Sequence, residues 1–282
     1  MFRADIAGVL IEIEADNTYM LGRFEPFFTQ KRGRPDLKIS LKSIDKIYRP
    51  KGQTTIDGGV EWAIGTDGNN SLSAFIGVDD CDRVISRLDA NEGWSCATIS
   101  YIKDNHHSER AATGILSEIL FCSCIPFHRG IVMHAAAIEW KDRGIMFSAP
   151  GGTGKSTQAN LWKTHMGARI LNGDRPAVRL LDERPFVSGT PWSGKTPDFL
   201  NHSVPLTAII VLEQAVENSI RTLRCHEAVE RLMPRCFLTY CGRELMERAI
   251  DILGKIIEIT PVYLLKCKPD KDAVELVYQY IG

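Results

Sequence analysis

The sequence predicts an α/β protein (α+β overall) in which a core of strands and helices follows a smaller β-rich N-terminal domain. Within the first 105 residues, apolar and polar residues alternate, as at 11–14 and 38–42, which is typical of half-buried strands. Residues 108–122 change to a helical period. Beyond them, short apolar runs alternate with amphipathic segments, which is the pattern of an α/β domain.

The elements follow in order along the chain. The N-terminal part has further predicted strands at 72–78 and 98–103, separated by turn signals rich in Gly, Asp and Asn. The continuous apolar run at 206–212 is consistent with a strand buried on both faces. We place the domain boundary at residue 105, which gives domains 1–105 and 106–282. The other predicted elements of the second domain are strands at 131–138, 145–148, 168–171 and 262–267, and helices after 155, at 226–233, at 243–257 and from the cap Asp270.

Composition and charge narrow the class of protein. Of the 282 residues 44% are hydrophobic and 24% charged, and the formal net charge is −1, as in an ordinary globular protein. There is no long basic run, so we expect no nucleic-acid binding. No apolar stretch approaches the roughly 20 residues of a membrane helix, and the N-terminus does not resemble a signal peptide. We therefore expect a cytoplasmic protein without a membrane partner. The eight scattered cysteines predict neither a disulfide framework nor a metal site.

Residues 148–157 read SAPGGTGKST and lie between a predicted strand and a predicted helix, as in a phosphate-binding loop of the Walker A type. Its glycines allow backbone N–H groups to curl around phosphate oxygens, and the helix N-terminus adds its own. Lys155 would reach the terminal phosphates, and the Ser156 hydroxyl would bind Mg²⁺. Position 149 is Ala where the usual pattern has Gly, and a Gly-rich turn with a chance Lys-Ser pair is the alternative. The predicted ATP-binding residues of this segment are Gly151, Gly152, Thr153, Gly154, Lys155, Ser156 and Thr157.

An acidic residue follows the strand predicted after the loop helix. It is Asp174, in the segment Asn172-Gly173-Asp174-Arg175. A carboxylate at a strand end near a phosphate loop is where a nucleotide enzyme needs a ligand for Mg²⁺. Ser156 and Asp174 are therefore the predicted metal ligands for phosphoryl transfer from ATP. A plain Asn-Gly-Asp turn is the alternative.

Three further side chains are candidates for the same site. His134 lies in the predicted strand before that of the loop, where it could contact the transferred phosphate or act on the acceptor's proton; a satisfied core histidine is the alternative. Lys195, in the segment GTPWSGK, could neutralise phosphate or substrate charge, or be a solvated loop residue. Arg235 could be a second cation on the nucleotide. Glu213 and Asn218 follow the strand at 206–212 and could face the cleft, with surface polar residues after a strand as the favoured alternative.

In this order, the motifs resemble those of the HPr kinase/phosphorylase-like family, which shares its nucleotide domain with phosphoenolpyruvate carboxykinases. The segments that carry the resemblance are MHAA at 133–136, the loop at 148–157 and LNGD at 171–174. Weaker likeness extends it to roughly 115–282. The resemblance implies a P-loop core of two packed sheets with helices, rather than the standard doubly wound sheet. It also implies an ATP-dependent kinase acting on a hydroxyl, often of Ser, with catalytic residues His134, Lys155 and Asp174.

Two departures from the family's pattern leave alternatives open. The family's acid pair is Asp-Asp, and here it is Gly173-Asp174. Either Asp174 serves as metal ligand and base together, or His134 is the base, or catalysis is weak or absent. Residues 1–105 do not match the family's substrate-side domain, so the acceptor is left as a peptide (including a ribosomal peptide precursor), a protein or a small metabolite. A nucleotide-binding regulator is the alternative function, with a carboxykinase ranked last. The resemblance also implies a homo-oligomer.

Overall fold

The computed structural model describes residues 1–15, 18–48, 54–57, 60–64, 72–78, 83–194, 198–238 and 243–282. The chain forms two compact units, one made of Met1–Phe127 with Thr239–Leu245 and the other of His128–Leu238 with Met246–Gly282. The predicted fold class is confirmed, because a β-rich N-terminal part precedes a mixed α/β part of strands and helices. The assignment of separate roles to residues 1–105 and 106–282 stays a prediction.

The first unit is built on one sheet, in which the described residues form eight strands in the order β1-β2-β3-β8-β7-β6-β5-β4. β3 pairs in parallel with β2 and β8, and all the other neighbours are antiparallel. In β2 the buried residues alternate with half-buried ones, as the sequence pattern predicts. The strands are β1 (Phe2–Ile6), β2 (Val9–Ala15), β3 (Leu37–Ile44), β4 (Thr54–Asp57), β5 (Val60–Ile64), β6 (Leu72–Val78), β7 (Arg83–Ala90) and β8 (Cys96–Ile102).

A helical segment follows this sheet. It consists of α1 (His106–Arg110), a π-helical stretch at Ala111–Leu116 and α2 (Ser117–Cys124). Within it, Leu116 and Leu120 are at 0% exposure, whereas Ile115 is 47% exposed. By length and mean hydropathy alone, the segment His106–His128 passes for a membrane-crossing helix. However, 61% of its most apolar window is buried within the protein, so it is weak evidence for a membrane span.

In the second unit, the described residues form nine strands in one branched sheet. Its main path runs β12-β10-β11-β15-β14-β13-β9, while β17 pairs with β15 and β16 pairs with β17. The strands are β9 (Gly130–Val132), β10 (Ala135–Trp140), β11 (Arg143–Ser148), β12 (Arg169–Asn172), β13 (Ala177–Leu181), β14 (Arg184–Ser188), β15 (Ser203–Gln214), β16 (Ser219–Thr222) and β17 (Val262–Cys267). The helices are α3 (Lys155–Met166), α4 (Cys225–Leu232), α5 (Arg243–Ile259), which begins in the first unit, and α6 (Lys271–Ile281).

β15 joins the two parts of this branched sheet. Its first residues pair antiparallel with β14, and its later residues pair in parallel with β11 on one side and β17 on the other. Side chains alternate between two cores: Ile209 and Val211 pack with residues of β13, β14 and α5, whereas Ile210 and Leu212 pack with residues of α3 and α6. The strand is therefore buried on both faces, as its apolar run predicts.

The prediction of one strand at 131–138 is wrong. β9 ends at Val132 and pairs with β13, whereas β10 begins at Ala135 and pairs with β11 and β12. Met133 and His134 lie between them, where the chain passes from one part of the sheet to the other. The residues on both sides of this break are fully buried, so the apolar run carries no signal of it. The backbone N–H of His134 donates to the Arg235 carbonyl at 2.7 Å.

Candidate functional site

The loop after β11 has a backbone suited to binding an anion. Gly152 and Gly154 have φ of +77° and +119°, in the region that favours glycine. Gly154 is the N-cap of α3, whose first N–H groups lack partners within the helix. Backbone turns of this kind direct N–H groups into a concave anion site. A Cβ atom placed at Gly151, Gly152 or Gly154 would have no neighbour within 4 Å, so this concave side is open.

Lys155 is held at the base of this loop. It is 7% exposed, and its Nζ donates to the carbonyls of Ala149 at 3.1 Å and Pro150 at 3.4 Å. Burial lowers its pKa, the negative charge of Asp174 opposes that effect, and the positive charge of Arg235 adds to it. The ammonium group therefore lies close enough to both residues to feel their charges.

Arg235 brings a second positive charge to the loop. It ends the short 3₁₀ turn Met233–Arg235 and lines a cleft together with loop residues. Among the described residues, its guanidinium group has no hydrogen-bond or ion-pair partner, and its charge acts unfavourably on Lys155. Two like charges facing an open loop of N–H groups favour the binding of an anion between them.

The cleft beside the loop has a volume of about 700 Å³, which lies within the usual range for small-molecule sites. One wall is the end of β15 and another is the end of α4 with the turn that follows it. Gln214 Nε2 donates to the Thr153 carbonyl at 3.5 Å and so connects the β15 wall to the loop. The lining residues are Ser148, Ala149, Pro150, Gly151, Gly152, Thr153, Val211, Leu212, Glu213, Gln214, Glu230, Arg231, Pro234 and Arg235.

His134 and Asp174 contact each other. His134 Nε2 lies 3.2 Å from Asp174 Oδ1, and Arg175 Nε donates to Asp174 Oδ2 at 3.2 Å. The ring of Phe237 lies 6.0 Å from the His134 ring, and the Arg175 guanidinium lies 4.4 Å from the Phe237 centroid. The two side chains of the His134–Asp174 pair are 27% and 23% exposed. They are therefore partly accessible while their orientations are fixed by neighbours.

The charge of Asp174 is stabilised by its surroundings. Burial alone would raise the pKa of its carboxyl group. The hydrogen bond from His134, with the positive charges of Arg175, His134 and Lys155, outweighs burial and lowers the pKa. Asp174 is thus a carboxylate at neutral pH, as a metal ligand or a proton acceptor must be.

Asn172, at the end of β12, positions this acidic turn. It is fully buried, and its Oδ1 accepts hydrogen bonds from the backbone N–H groups of Asp174 at 2.9 Å and Arg175 at 2.6 Å. Its Nδ2 donates to the carbonyls of Thr190 at 3.0 Å and Trp192 at 3.1 Å. One amide therefore connects the turn at 172–175 to the loop at 189–194. The sequence places Asn172 beside Asp174, but nothing in it indicates these four partners.

The predicted site residues fall into two groups. The loop residues with Arg235 form one group. The His134–Asp174 pair forms the other, and the charges of Asp174 and Lys155 affect each other's pKa. Ser156 and Thr157 are exposed in the first turn of α3. Lys195 lies outside the described residues, although a Cβ atom on Gly194 before it would lie 3.0 Å from Asp174 Cβ.

The described residues contain no cluster of three or more His, Cys, Asp or Glu side chains that could hold a metal ion. A Mg²⁺ ion here would therefore depend on one carboxylate, one hydroxyl, phosphate oxygens and water. That ligand set fits a nucleotide-bound Mg²⁺, which keeps several waters and rarely uses an all-protein cage.

Two of the less favoured candidates also have defined positions. Glu213 lines the cleft, and its Oε1 pairs with Arg231 Nη1 at 2.5 Å. Asn218 does not line the cleft. It donates from Nδ2 to Asp270 at 2.8 Å and accepts from the Lys268 N–H at 3.0 Å, so its role is to support the N-terminus of α6.

Comparison with known proteins gives little beyond this geometry. No family model matches the chain, and no curated protein matches it. Among solved structures, the HPr(Ser) kinase/phosphatase from Coxiella burnetii is similar over 53% of this chain and 95% of its own length. The TM-score is 0.32 and the sequence identity 12%.

Proposed function

We propose that this protein is an ATP-dependent kinase that transfers the γ-phosphate to a hydroxyl group, as on a Ser of a peptide or protein or on a small metabolite. The observation that carries the proposal is the arrangement around Lys155. Its ammonium lies in an open Gly-rich loop, within reach of the charges of Asp174 and of Arg235, whose guanidinium has no partner in the described part of the chain. A phosphate-binding loop next to a fixed carboxylate–imidazole pair is suited to phosphoryl transfer, which needs positioning and charge neutralisation.

In this proposal the loop residues hold the triphosphate. The N–H groups of 151–157 surround its oxygens, while Lys155 and Arg235 neutralise its negative charge. The exposed Ser156 hydroxyl and the Asp174 carboxylate would hold Mg²⁺. ATP would supply the transferable phosphoryl group, and Mg²⁺ would neutralise charge on it.

The His134–Asp174 pair would accept the proton of the acceptor hydroxyl. The imidazole would take the proton, and Asp174, whose Oδ1 lies 3.2 Å from His134 Nε2, would orient the ring and stabilise the imidazolium that forms. Asp174 keeps its own negative charge because its pKa is lowered. This stabilisation would compensate for the absence of a second acid at Gly173.

A nucleotide-binding regulator without turnover is the second candidate. Both carboxylate oxygens of Asp174 already have cationic or hydrogen-bonding partners, in His134 and Arg175. An acid occupied in this way, with Gly173 before it, would be a poor base. Tight Mg²⁺-dependent ATP binding with no labelled product would favour this candidate.

The deciding experiment is a transfer assay with γ-labelled ATP and Mg²⁺. The acceptors would be free serine, HPr and a peptide encoded beside this gene. We expect label on one acceptor with the wild-type protein, and its loss in Lys155→Ala and Asp174→Asn. Lys163→Ala, on the exposed side of the same helix, is the matched control and should keep activity. Transfer that survives in Lys155→Ala would contradict the kinase proposal.

If no acceptor is labelled, Gly173→Asp tests the regulator candidate. Among the described residues, six glycines have positive φ, and Gly173 is not one of them. An Asp at this position therefore meets no left-handed backbone. Label gained with Gly173→Asp would identify the missing acid as the reason for inactivity.

A further inference from the structure

The cleft extends well beyond the phosphate loop, and its far walls carry charges that phosphates do not need. Val211 and Leu212 line it at the end of β15, and both are 5% exposed or less. Glu213, the next residue, pairs with Arg231 of α4 at 2.5 Å, and both line the cleft. A negative charge facing the position of a polyanion would weaken its binding. Glu213 must therefore serve another part of the ligand or none.

Glu213 is held ready to accept hydrogen bonds. The hydrogen bond from Arg231, together with the nearby Lys266 ammonium at 3.6 Å, lowers the pKa of its carboxyl group despite partial burial. At neutral pH it is therefore an acceptor without a proton of its own. Its side chain is 36% exposed, so its remaining acceptor positions are accessible from the cleft.

The direction of a bound nucleotide follows from the other end of the site. Asp174 and His134, the pair suited to the reacting phosphate, are absent from the residues that line the cleft. They follow β12 and β9, whereas the cleft wall is the end of β15. Because the reacting phosphate belongs beside Asp174, the nucleoside must lie away from it, in the cleft.

We propose that Glu213 marks a ribonucleoside subsite, in which its carboxylate accepts a hydrogen bond from a ribose hydroxyl while the exposed Pro234 contacts the base. An acidic side chain at the end of a strand is a common partner of ribose hydroxyls in nucleotide-binding sheets. This inference rests on the proposed function, since it assumes that the loop holds phosphates.

The test compares ligands that differ in one part. Binding constants for ATP, 2′-deoxy-ATP, 3′-deoxy-ATP and inorganic tripolyphosphate would be measured with Mg²⁺ by calorimetry. In the wild-type protein, we expect ATP to bind more tightly than tripolyphosphate. One deoxy analogue should bind roughly 10- to 100-fold more weakly than ATP, which is the effect of losing a hydrogen bond to a charged group. In Glu213→Gln that loss should shrink several-fold, because a neutral amide oxygen is a weaker acceptor.

The effect of Glu213→Gln on tripolyphosphate binding distinguishes a ribose contact from a general disruption of the site. Removal of the Glu213 charge frees Arg231, so tripolyphosphate should bind to Glu213→Gln as well as to wild type, or more tightly. Glu275→Gln is the matched control, because Glu275 pairs with Lys271 on α6 and does not line the cleft. It should leave all four constants unchanged.

Failure of this inference is distinct from failure of the proposed function. If tripolyphosphate binds in a Lys155-dependent way but neither deoxy analogue is weaker than ATP, the ribose subsite is overturned and the phosphate site stands. The ribose subsite is also overturned if removal of a ribose hydroxyl weakens binding by the same factor in Glu213→Gln as in wild type. If no ligand binds, the kinase proposal falls with it. The wild-type analogue series decides the question even if the Glu213→Gln protein does not fold.

Discussion

Asn172 shows how much of this site depends on a single side chain that takes no part in chemistry. Its amide bonds both the acidic turn and the loop at 189–194. The Thr190 and Trp192 carbonyls are buried, so water does not replace the amide there when it is lost. The cost of such a loss is the cost of unpaired buried backbone groups, about 1–3 kcal/mol each.

We predict that Asn172→Ala lowers the free energy of unfolding by at least about 1–3 kcal/mol and lowers phosphoryl transfer more than ATP binding. The turn that carries Asp174 would lose its fixed position, whereas the phosphate loop has separate supports. Asn91→Ala is the control: its Oδ1 accepts from the Ser95 and Cys96 N–H groups, both at 2.9 Å, but at an exposed turn of the first unit. Denaturant unfolding and the transfer assay, with ATP titration, measure the difference. Equal loss of binding and transfer in Asn172→Ala would contradict a positioning role.

Asp174 predicts a pH dependence with a definite sign. Its pKa is lowered in the folded protein, so its ionised form stabilises the fold above the pKa of an unfolded Asp, about 3.9. That contribution is lost as the pH falls through the lower folded value. Urea unfolding between pH 6 and pH 3 should therefore give a higher free energy of unfolding for wild type than for Asp174→Asn at pH 6. This difference should become smaller below about pH 4. A difference that grows on acidification would show that the carboxylate is not stabilised by its neighbours.

At the scale of single elements, α3 depends on glycines at both of its ends. Gly154 starts the helix and Gly167 ends it with φ of +68°, and the N–H of Gly167 donates to the Trp162 carbonyl. A Cβ atom at Gly167 would meet no neighbour within 4 Å. Substitution there is therefore strained by the backbone alone, without a steric clash.

We predict that Gly167→Ala destabilises the protein by roughly 1–2 kcal/mol, the cost of a left-handed backbone for an L-residue. Gly254→Ala is the opposite case, because Gly254 lies inside α5, is exposed, and also has open space around its Cα. It should stabilise the protein by roughly 0.5–1 kcal/mol. Thermal unfolding of the two variants compares backbone effects without packing effects. A stabilised Gly167→Ala protein would contradict the C-cap geometry.

Elements with a clear period were predictable from the sequence, and junctions between them were not. The helix α5, the strand at Val262–Cys267 and the cap of α6 by Asp270, which accepts from the Ala273 N–H at 3.0 Å, all match their predictions. The break at Met133 and His134 was missed because apolar residues are equally buried in both strands.

Side-chain contacts between residues distant in the chain could not be predicted from the sequence either. The phosphate loop is a local motif, so a continuous segment carries the signal. Thr190 and Trp192 lie 18 and 20 positions from Asn172, and Arg231 lies 18 positions from Glu213. Phe237 lies 62 positions from Arg175, and these spacings follow no pattern. Asn172 bonds Thr190 and Trp192, for example, only because β12 ends beside the loop at 189–194.

At the scale of the whole molecule, the described residues that line the cleft all belong to the second unit. We predict that saturating ATP with Mg²⁺ slows amide hydrogen exchange at 148–157, 211–214 and 230–235. Strands β1 to β3 should exchange at unchanged rates. Ligand at 100 times its dissociation constant stabilises a binding unit by about 2.7 kcal/mol, a difference that exchange rates resolve. The Lys155→Ala protein should show no such protection, and protection confined to the first unit would contradict the assigned site.

The position of β15 has a consequence for synthesis of the protein. This strand supports the cleft wall, yet its parallel partner β17 lies at Val262–Cys267, close to the C-terminus. Chains emerge from the ribosome N-terminus first, and a parallel pair forms only when both strands are present. The phosphate loop is therefore translated more than a hundred residues before the sheet beside it is complete. Between the synthesis of β15 and that of β17, the nascent chain therefore exposes one edge of an apolar strand.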